Sequence, residues 1–361
     1  MKQKMMKIIW LSRAYRLVRA VAVMITTVVN RILNRPNDLE FVIEWGDRGL
    51  WVADRIAGKA LYSFPIPAGI DARLYDLKFS SPLTFAAFKD DFSVMAIWLR
   101  LGMGGGCLKT ILSEPRAGNP LPRIQELYTG GHKTLINAMG LPGKGVNGML
   151  QALVYTHLFE YGRPIGLSIG GNTVEEYLDN LIGLESFMRQ QRSAHYYELN
   201  ISCPNTAEGQ DISKNPALLE PLLRQMRLQT NAVIGVKLSP DQPNETLLAL
   251  TEAIRSVDRT YINAGNTTYR RCEQVGLSAN ALSIGGGGLS GGPLFPRTLE
   301  MVKVLSPLGI PIIATGGIST IDHVCELRDA GAVLVGMATA VVQDMYVIPR
   351  LNLQLAQRLG R

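Results

Sequence analysis

From about residue 78 the chain alternates short apolar, β-branched runs with longer stretches of helical periodicity, and it does so eight times. The runs are 79–87, 105–109, 164–170, 195–202, 232–238, 260–265, 311–316 and 332–338. Strands separated by crossover helices lie parallel, and eight of them point to a closed barrel. The expectation is an α/β chain, a (β/α)8 TIM barrel over residues 76–361 with an N-terminal helical, membrane-associating extension. A length of 361 residues, 47% hydrophobic and 19% charged, accommodates it, since such barrels take about 250 residues as one domain. Thr173-x-x-Glu176 and Ser319-x-x-Asp322 read as capping boxes that start two of the helices. The four cysteines show neither paired spacing nor a histidine cluster, so neither a disulfide framework nor a metal site is expected, and a reducing compartment is.

The net charge of +7 is a local property. Residues 1–36 hold eight of the 37 basic residues and no acid, leaving 29 bases against 30 acids in the remainder. A near-neutral main body argues against a nucleic-acid partner. On a helical wheel Arg13, Arg16, Arg19, Asn30, Arg31, Asn34 and Arg35 share an arc of roughly 160°. Val18, Val21, Ile25, Val28, Val29 and Ile32 lie opposite. Between Arg19 and Arg31 there is only about 16 Å of helix, against a hydrocarbon core of ~30 Å. Residues 1–36 therefore read as a basic amphipathic helix at a membrane surface. A single-pass anchor and a helix packed on the protein's own surface are the other readings. No small-x-small site follows the apolar stretch, which argues against a cleaved signal peptide. Residues 37–75 read as one or two short helices (Leu50 to Leu61) and a linker.

The unusual polar residues sit just past the strand ends, where a barrel gathers them on one face. The densest group is Glu198-Leu199-Asn200-Ile201-Ser202-Cys203-Pro204-Asn205-Thr206-Ala207, a strand running into a thiol between two asparagines. Cys203 is either a reactive thiol or a buried structural one. Gly316-Gly317-Ile318-Ser319 and Gly336-Met337-Ala338-Thr339 follow the seventh and eighth strands, and Gly285 to Gly292 form a further glycine-rich loop. Glycines let backbone amides approach an anion, so a phosphorylated cofactor is expected there. No GxGxxG opens a helix, leaving a dinucleotide fold unsupported. Lys237 ends an apolar strand; facing the barrel interior it needs an anionic or carbonyl partner, and otherwise it is a rim lysine in solvent.

From about residue 79 to the C-terminus the chain resembles the dihydroorotate dehydrogenase family, flavin enzymes that oxidise dihydroorotate to orotate in pyrimidine biosynthesis. The likeness is carried by the Asn200–Asn205 loop, by Leu112-Ser113-Glu114-Pro115-Arg116-Ala117-Gly118-Asn119-Pro120-Leu121-Pro122-Arg123, and by Ile136-Asn137-Ala138-Met139-Gly140-Leu141-Pro142. The cysteine, and the spacing of Lys109 from Gly118-Asn119, match class 1 of the family, whereas the N-terminal extension resembles class 2. The resemblance implies FMN as cofactor and Cys203 as general base, taking the C5 proton while hydride leaves C6. It implies substrate contacts from Asn137, Met139, Gly140, Leu141, Asn200, Asn205, Asn266 and Thr267, with Lys109 on the carboxylate. It implies cofactor contacts from Ala86, Ala87, Lys109, Asn172, Asn200, Lys237, Gly291, Gly316, Gly317, Gly336, Met337 and Thr339, and no metal.

The sequence departs from the family pattern at Phe85-Ala86-Ala87-Phe88-Lys89, where Lys89 competes with Lys109 for the active-site lysine role. Tyr269-Arg270-Arg271 carries two arginines without an assigned task. The alternatives to dihydroorotate are another dihydropyrimidine and, more distantly, RNA, as in the dihydrouridine synthases. The expected partners are dihydroorotate, the membrane surface at its cytoplasmic face and a second copy in a homodimer; for the electron acceptor a membrane quinone, fumarate and an iron–sulfur partner subunit are all open.

Overall fold

The computed structural model describes residues 2–191, 194–201, 212–213 and 215–360. In chain order, two helices α1 (Lys2–Ile32) and α2 (Glu40–Tyr62) precede a hairpin of β1 (Ala72–Leu74) and β2 (Leu77–Phe79). Barrel strands β3 (Leu83–Phe85) and β4 (Gly105–Ile111) follow, with α3 (Phe92–Leu101) between them. Then come β5 (Pro115–Arg116), β6 (Ile124–Thr129), β7 (His132–Asn137) and β8 (Gly143–Lys144), outside the barrel. Barrel strands β9 (Ile165–Ile169), β10 (His195–Asn200), β11 (Val233–Leu238) and β12 (Thr260–Ala264) come next. A second excursion, β13 (Thr268–Arg271) and β14 (Gly286–Ser290), precedes the last barrel strands β15 (Ile312–Thr315) and β16 (Ala332–Met337).

All eight expected strands are present, each paired in parallel with its neighbours in chain order. The barrel closes where β16 meets β3, with Gly336 opposite Thr84. Every residue of β9, β11, β12 and β15 is buried. Crossover helices cover the outer face of such a sheet, which is why these strands lack a polar alternation. The lower end of the barrel is plugged by Leu74, Leu77 and Phe79 of the β1–β2 hairpin, packed on Tyr196, Tyr261, Ile313 and Leu334. At the upper end β13, β14, β7 and β6 form a four-stranded antiparallel cap. Its two hairpins are 120 or more residues apart in sequence, so no local periodicity announces their pairing.

Helix starts differ in detail from the capping boxes. Thr173 does cap Glu176 N–H at 3.2 Å, but Glu176 reaches back to the N–H of Asn172. For the later helix the cap is Thr320, not Ser319, accepting from His323 N–H at 3.2 Å.

The extension differs more. Residues 40–62 form one helix with non-helical geometry at Ala57, longer than the expected Leu50 to Leu61. It is fixed to the barrel by Glu40–Arg123, Asp47–Lys89 and Asp54–Arg100 ion pairs. The first half of α1 also docks: Ile8 is fully buried, and Ser12 donates to Asp344 at 2.7 Å. Tyr15 packs edge-on against Tyr346, and Arg19 grips Glu126 with both terminal nitrogens at 2.7 and 3.2 Å. One face of α1 is therefore packed on the protein itself, and Arg19 leaves the arc assigned to lipid headgroups. The other face stays exposed, including Trp10, Leu17, Val18, Met24, Ile25 and Ile32. Among the described residues no helix is long and apolar enough to cross a membrane.

Candidate active site

The C-terminal ends of the barrel strands and the cap enclose a cavity of about 270 Å³. β4 brings Lys109 and Thr110 to its wall, β7 Asn137, β10 Asn200 and β11 Lys237, while the loop after β12 brings Asn266 and Thr267. The barrel register sets Asn200 beside Lys237. Below that layer, Tyr261 Oη and Asn263 Nδ2 donate to the buried carboxylate of Glu198 at 3.1 and 2.7 Å. Asn200 Nδ2 donates to Thr110 Oγ1 at 2.9 Å, and Tyr177 Oη donates to the Asn200 carbonyl. That network fixes the amide and leaves its Oδ1 facing the cavity without a hydrogen-bond partner.

The structure separates the two candidate lysines. Lys89 turns to Asp47 on α2, and Lys109 lines the cavity. Burial holds the Lys109 ammonium below the usual lysine range, opposed by the field of Asp90. An anionic ligand group beside it would restore the charge. Lys109→Met is therefore expected to raise KM for an anionic substrate roughly 10- to 100-fold, the loss of one charged hydrogen bond. In the native protein KM should climb as pH rises through the depressed lysine value, because the cation is lost there. A variant KM that shows the same pH limb would exclude Lys109 as its source.

The loop Asn137–Leu141 is braced by Asn119, which donates its backbone N–H to Met139 O and its Nδ2 to Ala138 O, at 3.0 and 2.9 Å. Gly140 and Leu141 both have positive φ, 69° and 54°. Met139 and Leu141 line the cavity, while Gly140 sits behind them. The other expected residues at this face, Ala86, Ala87, Gly291, Gly316, Gly317, Gly336, Met337 and Thr339, all line the same cavity. Asn172 does not: it is exposed on the turn before α5 (Val174–Met188). Cys203 and Asn205 lie outside the described residues. Cys107, by contrast, is buried within the barrel, its thiol pushed up by burial and by Glu198.

The residues present fit a flavin mononucleotide. Asn200 Oδ1 and Thr315 Oγ1 are buried polar atoms without hydrogen-bond partners, both on the cavity wall. A β-carbon on Gly317 would stand 2.4 Å from the backbone N of Phe295, and one on Gly336 2.2 Å from Thr315 Oγ1. Thr110, Thr315, Ser290, His132, Lys133 and Gln343 also line the cavity. The sequence offered a weak signal for Thr110 and Thr315, polar residues at strand ends. It offered none for His132 and Lys133, which only the pairing of the cap brings there.

Comparison with known proteins agrees with this geometry. The family model for dihydroorotate dehydrogenase matches residues 70–359. The catalytic subunit of dihydroorotate dehydrogenase B (NAD(+)) from Halalkalibacterium halodurans is 30% identical over 259 residues, 71% of this chain and 81% of that protein. Its namesake from Geobacillus kaustophilus is 33% identical over 249 residues, 68% and 76% of the two chains. The crystal structure of DHODH from Eimeria tenella in complex with ferulenol superposes with a TM-score of 0.71 at 21% identity, covering 87% of this chain and 90% of that one. With the family match spanning every barrel strand and the relatives matched over most of their own length, the chain belongs to the dihydroorotate dehydrogenase family.

Proposed function

We propose that the chain oxidises dihydroorotate to orotate, a step of pyrimidine biosynthesis, with FMN as cofactor. The observation that carries this reading is the convergence of Lys109, Asn137, Asn200 and Asn266 on one cavity from four different strand ends. The substrate is a cyclic diamide with a carboxylate. Side-chain amides complement its N–H and C=O groups, and a buried ammonium complements the carboxylate. Bound FMN supplies the acceptor for the hydride that leaves C6. Cys203 Sγ takes the C5 proton as its C–H bond breaks, and Asn205 joins the amide set; both roles rest on the motif. A thiol of ordinary pKa ~8.5 is only a few per cent thiolate at neutral pH, so the site must favour its reactive form, and Lys109 and Lys237 are the cations on the cavity wall. Lys237, on the cavity wall, would offer positive charge to a flavin ring that becomes more negative on reduction. Anaerobic mixing of the purified yellow protein with dihydroorotate tests the reading. Bleaching of the flavin band is expected, and a band unchanged by dihydroorotate but bleached by another dihydropyrimidine would reassign the substrate.

The division into residues 1–36, 37–75 and 76–361 goes with a peripheral placement on the cytoplasmic face of a membrane and with a quinone as electron acceptor. What supports it is the exposed apolar surface of both helices, Trp10 and Ile32 on α1 with Trp45 and Ile56 on α2, flanked by Arg13, Arg16, Arg31 and Arg35. Full-length protein should cosediment with anionic vesicles, less at high salt because the arginine attraction is screened. Equal sedimentation after Trp10→Glu/Ile25→Glu substitution would remove the helix from this role. Sedimentation velocity of the same samples tests the homodimer.

A further inference from the structure

The glycine loops that line one end of the cavity offer backbone N–H groups but no formal charge. A phosphate monoester there carries nearly two negative charges at neutral pH. Among the described residues, the lysines on the cavity wall are Lys109, Lys133 and Lys237. Lys109 and Lys237 stand with the asparagines at the barrel mouth. Lys133 stands with the glycines. Thr339 Oγ1 donates to Ser290 Oγ at 2.8 Å, Ser290 Oγ to the Leu135 carbonyl at 3.2 Å, and Gln343 Nε2 to the Lys133 carbonyl at 2.9 Å. β7 thus lies against the turn Gly336–Thr339 and the helix that follows it.

The Lys133 ammonium is held 2.8 Å from Glu126 Oε2, and the same carboxylate is gripped by Arg19 of α1. Two cations share one half-buried anion, so the trio keeps a net charge of +1. Without Arg19, Glu126 would neutralise Lys133. Ser12 on Asp344 and Tyr15 Oη on the Val342 carbonyl at 3.3 Å fix α1 to the segment just beyond the glycine turn.

We infer that Lys133 supplies the cation for the FMN phosphate, its charge left uncancelled because Arg19 shares the Glu126 carboxylate, so that α1 is part of the cofactor site. The inference rests on the FMN reading above. Its test is release of FMN from the full-length holoenzyme on dilution, followed by flavin fluorescence at low and high salt. Lys133→Met should weaken FMN roughly 10- to 100-fold at low salt, the size of one charge-assisted hydrogen bond, and much less at high salt. Lys133→Arg should restore most of it. Arg19→Gln should weaken FMN in the same direction, while Glu126→Gln, which leaves the site more positive, should leave it as tight or tighter. An unchanged affinity in Lys133→Met would overturn the inference, as would a loss of equal size at both salt concentrations or a parallel loss in Glu126→Gln. Protein purified without any flavin would instead overturn the FMN reading, and this inference with it.

Discussion

Cys203→Ala is expected to keep its yellow colour and to lose turnover with dihydroorotate by roughly 10²–10⁴-fold, the usual cost of removing a general base. The residue follows β10 by three positions, and that strand ends at Asn200, whose amide lines the cavity and is fixed by Thr110 and Tyr177. The glycine cradle stands at the ends of β15 and β16, other strands than the one that leads to the thiol, so flavin content should stay at the native ratio. Cys203→Ser should recover some rate at high pH, where a hydroxyl serves poorly as a base. Stopped-flow reduction of the bound flavin separates the proton step from reoxidation. Native-like reduction by Cys203→Ala would sink the assignment.

The second large effect is structural. Gly317→Ala should destabilise the protein by about 2–5 kcal/mol and strip it of flavin, for two reasons that add. Its φ of 74° is strained for an L-residue, and the new methyl would meet the backbone N of Phe295 at 2.4 Å. That contact cannot relax by a rotamer change, because Phe295 begins the helix Phe295–Leu305 that packs on β15. Thermal unfolding with a flavin assay on the same sample checks it. A variant that melts within about a degree of native and holds a full complement of flavin would show that the turn is freer than this packing allows.

The docked face of α1 changes what truncation means. Read as a sequence, residues 1–36 are a detachable amphipathic tail. In the fold, Ile8 is buried, Ser12 and Tyr15 bond Asp344 and the Val342 carbonyl just beyond the glycine turn, and Arg19 pairs with Glu126, so removing them uncovers both carboxylates. Loss of activity in a truncated protein therefore reports on the packing around Asp344 and Glu126 and does not by itself establish membrane attachment.

The sequence by itself determined the eight strands, their parallel order and most of the wall of the site. Parallel strands buried on both faces carry continuous apolar runs, and the residues that must meet a ligand stand just past each run. Asn200, Lys237, Gly316, Gly317 and Gly336 were legible for that reason, each at a strand end whose neighbours in space are its neighbours in order. What only the tertiary structure decided depends on contacts between distant segments. Lys89 and Lys109 are both lysines at plausible spacing, and it is Asp47, on a helix more than 40 residues away, that takes Lys89 out of the cavity. His132 and Lys133 reach the cavity wall because β7 pairs with β14, some 150 residues later. The amphipathic pattern of α1 shows that it has two faces. Which of them meets the barrel was set by half-buried Glu126 and buried Asp344, carboxylates that pair with Arg19 and Ser12.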